Sequence, residues 1–223
     1  MKRFALSFAV AVMAFMLGGC SRYFIQKDAY NAVKKAALVQ YAVNPHMLLG
    51  TPSTDDVRNG APEANVASFI KEMNGKPYEL MPTAEMIANP GYASGAEKLE
   101  GYFTAKGMRY FGDSKAVEEA TLTPDQAKKL CADLGVDAVI AVYESWGQVS
   151  RAMGFKAAAR SYFFVNMYDK NGTRIWGDFV GGEAEESVAA PGGIFATDKD
   201  SMIANFNAAF VAATKEMSAH LAK

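Results

Sequence analysis

The residue with the clearest chemical possibility is Cys20, which follows the small residues Gly18 and Gly19 at the end of an apolar run. A cysteine thiolate is a strong nucleophile, and small residues before it let a peptidase approach the backbone closely. That placement makes Cys20 Sγ a candidate for covalent modification. Cys131 is different, because Ala127, Leu130 and Leu134 surround it on a helical stripe. A reactive thiol needs an electropositive, exposed setting, so Cys131 is expected to be a buried core residue. His46 and His220 lie far apart and lack the clustered ligands of a zinc site, and both are expected to be ordinary surface histidines. Glu183, Glu185 and Glu186 lack the alternating Asp/Asn pattern of a calcium loop and read as a solvated loop. Gly177-Asp178-Phe179-Val180-Gly181-Gly182 lacks the Lys-Ser/Thr of a phosphate loop and reads as a strand bulge or end. No G-x-S-x-G, H-E-x-x-H or partnered Ser-x-x-Lys is present, so no catalytic residue, metal or cofactor is expected.

Lys2 and Arg3 precede a low-polarity stretch from Phe4 to Gly19, which has the form of a secretory signal. It is shorter than the roughly 20 apolar residues that span a bilayer. The stretch Leu17-Gly18-Gly19-Cys20 resembles the lipobox of bacterial lipoproteins. Residues 1–19 are then the signal peptide, and Cys20 is the acylated amino terminus. Three acyl chains, palmitate among them, are implied there, enough for stable anchoring. Ser21 stands where inner-membrane lipoproteins of Gram-negative bacteria carry Asp, which implies the periplasmic face of the outer membrane. Removing 19 residues, two of them basic, from 223 leaves a mature chain of 204 with a side-chain charge of −3. Near neutrality and the lack of a Lys/Arg block argue against nucleic acid as a partner. With Cys20 modified, Cys131 is the only thiol left, so stability must come from a hydrophobic core.

Residues 20–35 are polar and weakly periodic and read as a lipidated tether; a single domain is expected over 36–223. The apolar run Ala36–Val43 predicts a strand buried on both faces, and the Gly- and Pro-containing stretch 50–61 predicts a loop. Pro62 starts a helix whose stripe is Val66, Phe69, Ile70 and Met73, stopped by Asn74-Gly75. Tyr78–Met81 predicts a short strand. Residues 82–121 read as an insert, with a helical turn at Ala84–Ala88, a helix at Ala96–Lys106 and a short strand or apolar loop at Met108–Phe111. Thr123-Pro124-Asp125-Gln126 fits a capping box ahead of a helix to Leu134. A meander follows: a strand from Asp137 towards Val149, alternation over 157–168, an Asn171-Gly172 turn, and a strand over Thr173–Val180. A loop or edge segment over 181–198 leads to a last helix near 199–221, with Ile203, Phe206, Phe210, Ala213, Met217 and Leu221 in line. The order β-α-β-(insert)-α-β-β-β-α predicts an α+β fold, a mixed sheet with helices packed on it.

Leu134-Gly135-Val136-Asp137-Ala138-Val139-Ile140, the turn Asp169-Lys170-Asn171-Gly172 and Ile175-Trp176 form a helix end, hairpin and strand end. Over about 123–180 this is similar to a domain shared by curli-secretion lipoproteins, penicillin-binding-protein activator lipoproteins and the amino-terminal domain of TolB. The resemblance implies an α/β sandwich without catalytic residues, used to bind partners or assemble in the envelope. The 82–121 insert is not part of that pattern, and no long amphipathic segment suits an export channel. Tyr143, Trp146, Tyr162, Phe164, Tyr168 and Trp176 fall in the meander, several on the face opposite Phe163. In a sheet covered on one side, Tyr143, Trp146, Tyr162, Phe164 and Trp176 would form a partner-binding surface; in one covered on both sides they are core. The expected function is a non-enzymatic, membrane-anchored lipoprotein that binds an envelope protein or associates with itself. The alternative is a carrier of a small apolar ligand or lipid under the insert.

Overall fold

A computed structural model describes residues 23–44, 65–92, 103–104, 107–108, 120–154, 156–189 and 199–222. The element order is β1 (Phe24–Ile25), α1 (Lys27–Ala32), β2 (Lys35–Asn44), α2 (65–73), β3 (Glu79–Leu80), α3 (Thr83–Ala88), β4 (Phe103–Thr104), β5 (Gly107–Met108), α4 (Pro124–Leu134), β6 (Ala138–Arg151), β7 (Lys156–Asp169), β8 (Arg174–Glu183), β9 (Val188–Ala189) and α5 (Lys199–Leu221). Among the described residues, seven strands form one mixed sheet in the order β1-β8-β7-β6-β2-β3, with β9 beside β7; β4 and β5 pair separately. β2 runs parallel to β3 and β6, and the other pairs are antiparallel. The protein is an α+β fold, as its pattern of elements implies.

Each face follows from strand alternation. Trp146, Ser161, Phe163, Val165, Trp176 and Val180 share one face by register. On it Phe69 of α2 meets Tyr41 and Phe163 edge-on, and Phe210 of α5 lies 5.6 Å from Phe163. The opposite face carries Tyr143, Tyr162, Phe164, Asn166 and Tyr168 and is covered in part by α4 and the residues before it. Asn166 Nδ2 donates to Ala120 O at 3.1 Å, and the Leu122 N–H donates to Tyr168 Oη. The second face is therefore covered only in part, and Ala36–Ala42 of β2 are buried throughout.

Local signals act where the sequence places them. Thr123 Oγ1 accepts from Gln126 N, and Gln126 Oε1 accepts from Thr123 N at 2.8 Å; Gly135 ends α4 at φ +64°. Replacing Thr123 by alanine leaves the Gln126 N–H without its acceptor, so a loss of about 1 kcal/mol in urea unfolding is expected. Asp137 Oδ2 accepts from the backbone N–H groups of Lys34 and Lys35, which aligns the parallel start of β2 and β6 and holds the carboxyl below its ordinary range. In the hairpin, Asp169 Oδ1 accepts from Asn171 N and Thr173 N, and Gly172 takes φ +76°.

Two expectations are corrected. The tether of residues 20–35 does not extend past Tyr23: β1 pairs with β8, and Gln26 N donates to Ile175 O at 2.8 Å. Tyr30 and Val33 are buried, and the Tyr30 ring lies 5.7 Å from Tyr78 and 6.0 Å from Trp176. A single apolar turn here finds core partners supplied by distant strands. The first part of the expected 82–121 insert also belongs to the core, because Met86 and Tyr92 are buried and Tyr92 Oη donates to Val39 O at 2.9 Å. The helix expected at 96–106 gives way at Phe103–Thr104 to a strand paired with Gly107–Met108. The rest of that helix lies outside the described residues, as do 109–111 and the loop expected at 50–61.

Candidate functional site

The most concentrated polar cluster is buried. Glu144 is 0% exposed, and its Oε1 accepts from Asn65 Nδ2 (2.8 Å), Trp146 Nε1 (2.6 Å) and Ser161 Oγ (2.8 Å). Its Oε2 accepts from Tyr41 Oη (2.7 Å) and again from Asn65 Nδ2 (3.1 Å). β2, α2, β6 and β7 each contribute to this network. Burial pushes the Glu144 carboxyl above its ordinary value, while the four donors pull it down. A carboxylate so enclosed ties α2 to the sheet rather than meeting a solute. Sequence reasoning passed over it; the available signal is a lone acid at alternate spacing with Trp146 inside an apolar strand.

A second cluster joins the two ends of the chain. Asp178 of β8, with its side chain fully buried, faces His220 Nδ1 at 2.9 Å and accepts from its neighbour Phe179 N–H. Tyr23 packs its ring 5.2 Å from that of His220 and donates its hydroxyl to the His220 carbonyl at 3.0 Å. Burial raises the Asp178 carboxyl, and the histidine opposes that rise. His220 is thus a half-buried partner of Asp178, not the simple surface histidine its position in the last helical turn suggests. His46 lies outside the described residues.

The aromatic candidates divide. Trp146, Trp176 and Tyr143 are corrected to core: they are 0%, 0% and 5% exposed. The two tryptophans lie on the face that α5 and α2 cover, and Trp146 stacks on Phe206 at 4.9 Å. Tyr162 and Phe164 are only half-buried, on the other face, with Phe179 between them. The Tyr162 and Phe179 rings are nearly parallel with their centroids 6.1 Å apart, and Phe164 lies 4.3 Å from Phe179. Gly181 makes room for this group, since a Cβ there would come within 2.7 Å of the Tyr162 ring.

The remaining candidates find structural settings. Cys131 is buried, and burial pushes its thiol up to about 12. Glu183 is the acid of its cluster with fixed partners, Arg151 and Arg160, and they lower its carboxyl. Gly177–Gly182 runs inside β8, with Gly182 directly beneath α5. Among the described residues, no group of three or more His, Cys, Asp or Glu side chains could hold a metal. No described helix is long and apolar enough to cross a membrane. Gly19 and Cys20 lie outside the described residues.

No protein-family model matches the chain, and no curated protein matches it. Solved structures are similar to it at low identity. One is lipoprotein GNA1162 from Neisseria meningitidis, at 14% identity and a TM-score of 0.37, covering 77% of this chain and 90% of that one. Another is the hypothetical protein CT253 from Chlamydia trachomatis, at 10% identity and a TM-score of 0.40, covering 85% and 98%. A PelC dodecamer from Paraburkholderia phytofirmans is similar at 12% identity and a TM-score of 0.28, covering 81% and 88%.

Proposed function

We propose that this chain is the precursor of a non-enzymatic lipoprotein, held at the periplasmic face of an outer membrane through Cys20, that binds an envelope protein or assembles with copies of itself. The anchor rests on Leu17-Gly18-Gly19-Cys20 behind a short apolar run, and the location on Ser21. The binding role is carried by one observation, the half-buried Tyr162–Phe179–Phe164 group on the meander, whose tryptophans, Tyr143, Phe163 and Tyr168 are core. Aromatic side chains that are partly wet offer large contact area at little entropic cost, as interface anchors do. A photo-crosslinking amino acid at position 162, in the lipidated protein in intact cells, is expected to give a discrete adduct with one envelope protein or a dimer. The same residue at the exposed Lys128 of α4 serves as the control. Recovery of monomer alone from position 162, or the same adducts from both positions, would count against this reading.

A further inference from the structure

We infer that the β1–β8 edge of the sheet lies against the phospholipid surface, so that the anchor sets the orientation of the domain as well as its location. This rests on acylation of Cys20. The argument is one of length. Only Ser21 and Arg22 separate Cys20 from Tyr23, and three Cα-to-Cα steps reach at most roughly 11 Å in any conformation. The headgroup layer alone takes up about 5–8 Å of that distance.

Tyr23 is not itself slack. Its hydroxyl is bonded to the His220 carbonyl, its ring rests on the His220 ring, and His220 is held by buried Asp178. Phe24 and Ile25 then pair with Gly177 and Trp176, and Gln26 bonds to β8 through both its backbone N–H and its side chain. The first strand of the sheet therefore begins within a few ångströms of the headgroups, at the sheet's outer edge. The surface there suits an interface. Phe24 is 37% exposed, one of the few large apolar side chains that is among the described residues, and the Arg174 guanidinium lies over its ring at 5.3 Å. An aromatic ring at interfacial depth with a guanidinium beside it matches the layered polarity of ester and phosphate groups. The opposite edge, β3, is five strands away, roughly 24 Å at the usual strand spacing. That edge, and any protein bound near it, would face away from the lipid.

The test uses the full lipidated chain in vesicles of phosphatidylethanolamine and phosphatidylglycerol that contain a lipid with a spin-labelled headgroup. A thiol-reactive bimane is placed at Lys27→Cys, beside β1, or at Glu79→Cys on β3; both native side chains are exposed, whereas Cys131 is buried. Mass spectrometry of the amino terminus comes first. An unmodified Cys20 removes the anchor and this orientation with it. With Cys20 acylated, the label at position 27 is expected to be quenched at least threefold more than the label at 79. Equal quenching would mean a domain tumbling on its anchor and would overturn the orientation alone. An unquenched label at 27 would also overturn it, leaving the edge to a protein strand or a second copy.

Discussion

Replacing Glu144 by alanine is expected to cost about 3–5 kcal/mol of stability, because it strips the acceptor from four buried donors at once. For a domain of this size that corresponds to a fall in Tm of roughly 10 °C. Trp146 Nε1 can only donate, so it is left with no bond in a site that water does not reach. Ser161 and Tyr41 can rotate their hydroxyls, and Asn65 loses both contacts made by its amide nitrogen. Glutamine at 144 is the informative contrast. It keeps one oxygen for Trp146, Ser161 and Asn65 and sets an NH2 group before Tyr41, whose hydroxyl can turn to accept, while the longer contact from Asn65 Nδ2 to Oε2 is lost. A loss of about 1–2 kcal/mol is expected. The pair also separates charge from shape. Burial raises the folded-state pKa of Glu144, so between the ordinary carboxylate value and the raised one the native state binds more protons than the unfolded state. That contribution is fully present below the ordinary value and is lost as pH rises through the folded one. The stability of the native protein relative to Glu144→Gln should therefore decline with rising pH across that window. Urea unfolding followed by tryptophan fluorescence at several pH values measures it. A constant difference would show that Glu144 does not titrate above its unfolded value.

What could be read from the sequence was what short segments determine. The capping box at Thr123, the Asn171-Gly172 turn and the stripe of α5 each depend on residues within a few positions, and each forms where the pattern puts it. In the assembled sheet, register places Trp176 and Val180 on the face of Phe163 and Phe179 on the other. Alternation does not say which face a distant helix will cover. Trp146 is core because Phe206 of α5 stacks on it, and Trp176 packs against Tyr30 of α1; nothing local to the meander encodes that docking. The Glu144 network illustrates the same gap, since Tyr41, Asn65, Glu144 and Ser161 meet only once β2, α2, β6 and β7 are assembled. The amino-terminal segment was misread for a related reason. A two-residue strand and a six-residue helix carry too little periodicity to show, and tertiary partners hold them in place. Tyr23 and His220 are 197 positions apart, and their contact turns an apparent tether into part of the fold.

The second large effect is expected at Gly182, where valine should cost about 3 kcal/mol by forcing α5 off the sheet. A Cβ built on Gly182 overlaps the carbonyl oxygen of Ala209 and the backbone nitrogen of Ala213, so the obstacle is helix backbone, which no rotamer change can move. Ala209 and Ala213 are themselves fully buried, and this run of small residues lets the helix rest directly on β8. Nor can α5 slide aside easily. Near its start, Asn205 accepts from Ala159 N at 2.6 Å and donates to Glu186 O at 2.8 Å; near its end, His220 is fixed to Asp178. Lifting the middle of the helix opens the contact between Phe210 and Phe163 and exposes buried aromatic surface. The neighbouring glycine makes the control. Alanine at Gly181 would meet only the ring of Tyr162, a half-buried side chain that can swing away, and should cost under about 1 kcal/mol. If the two variants shifted the urea midpoint equally, the close approach of α5 to β8 could not be what limits residue size at 182.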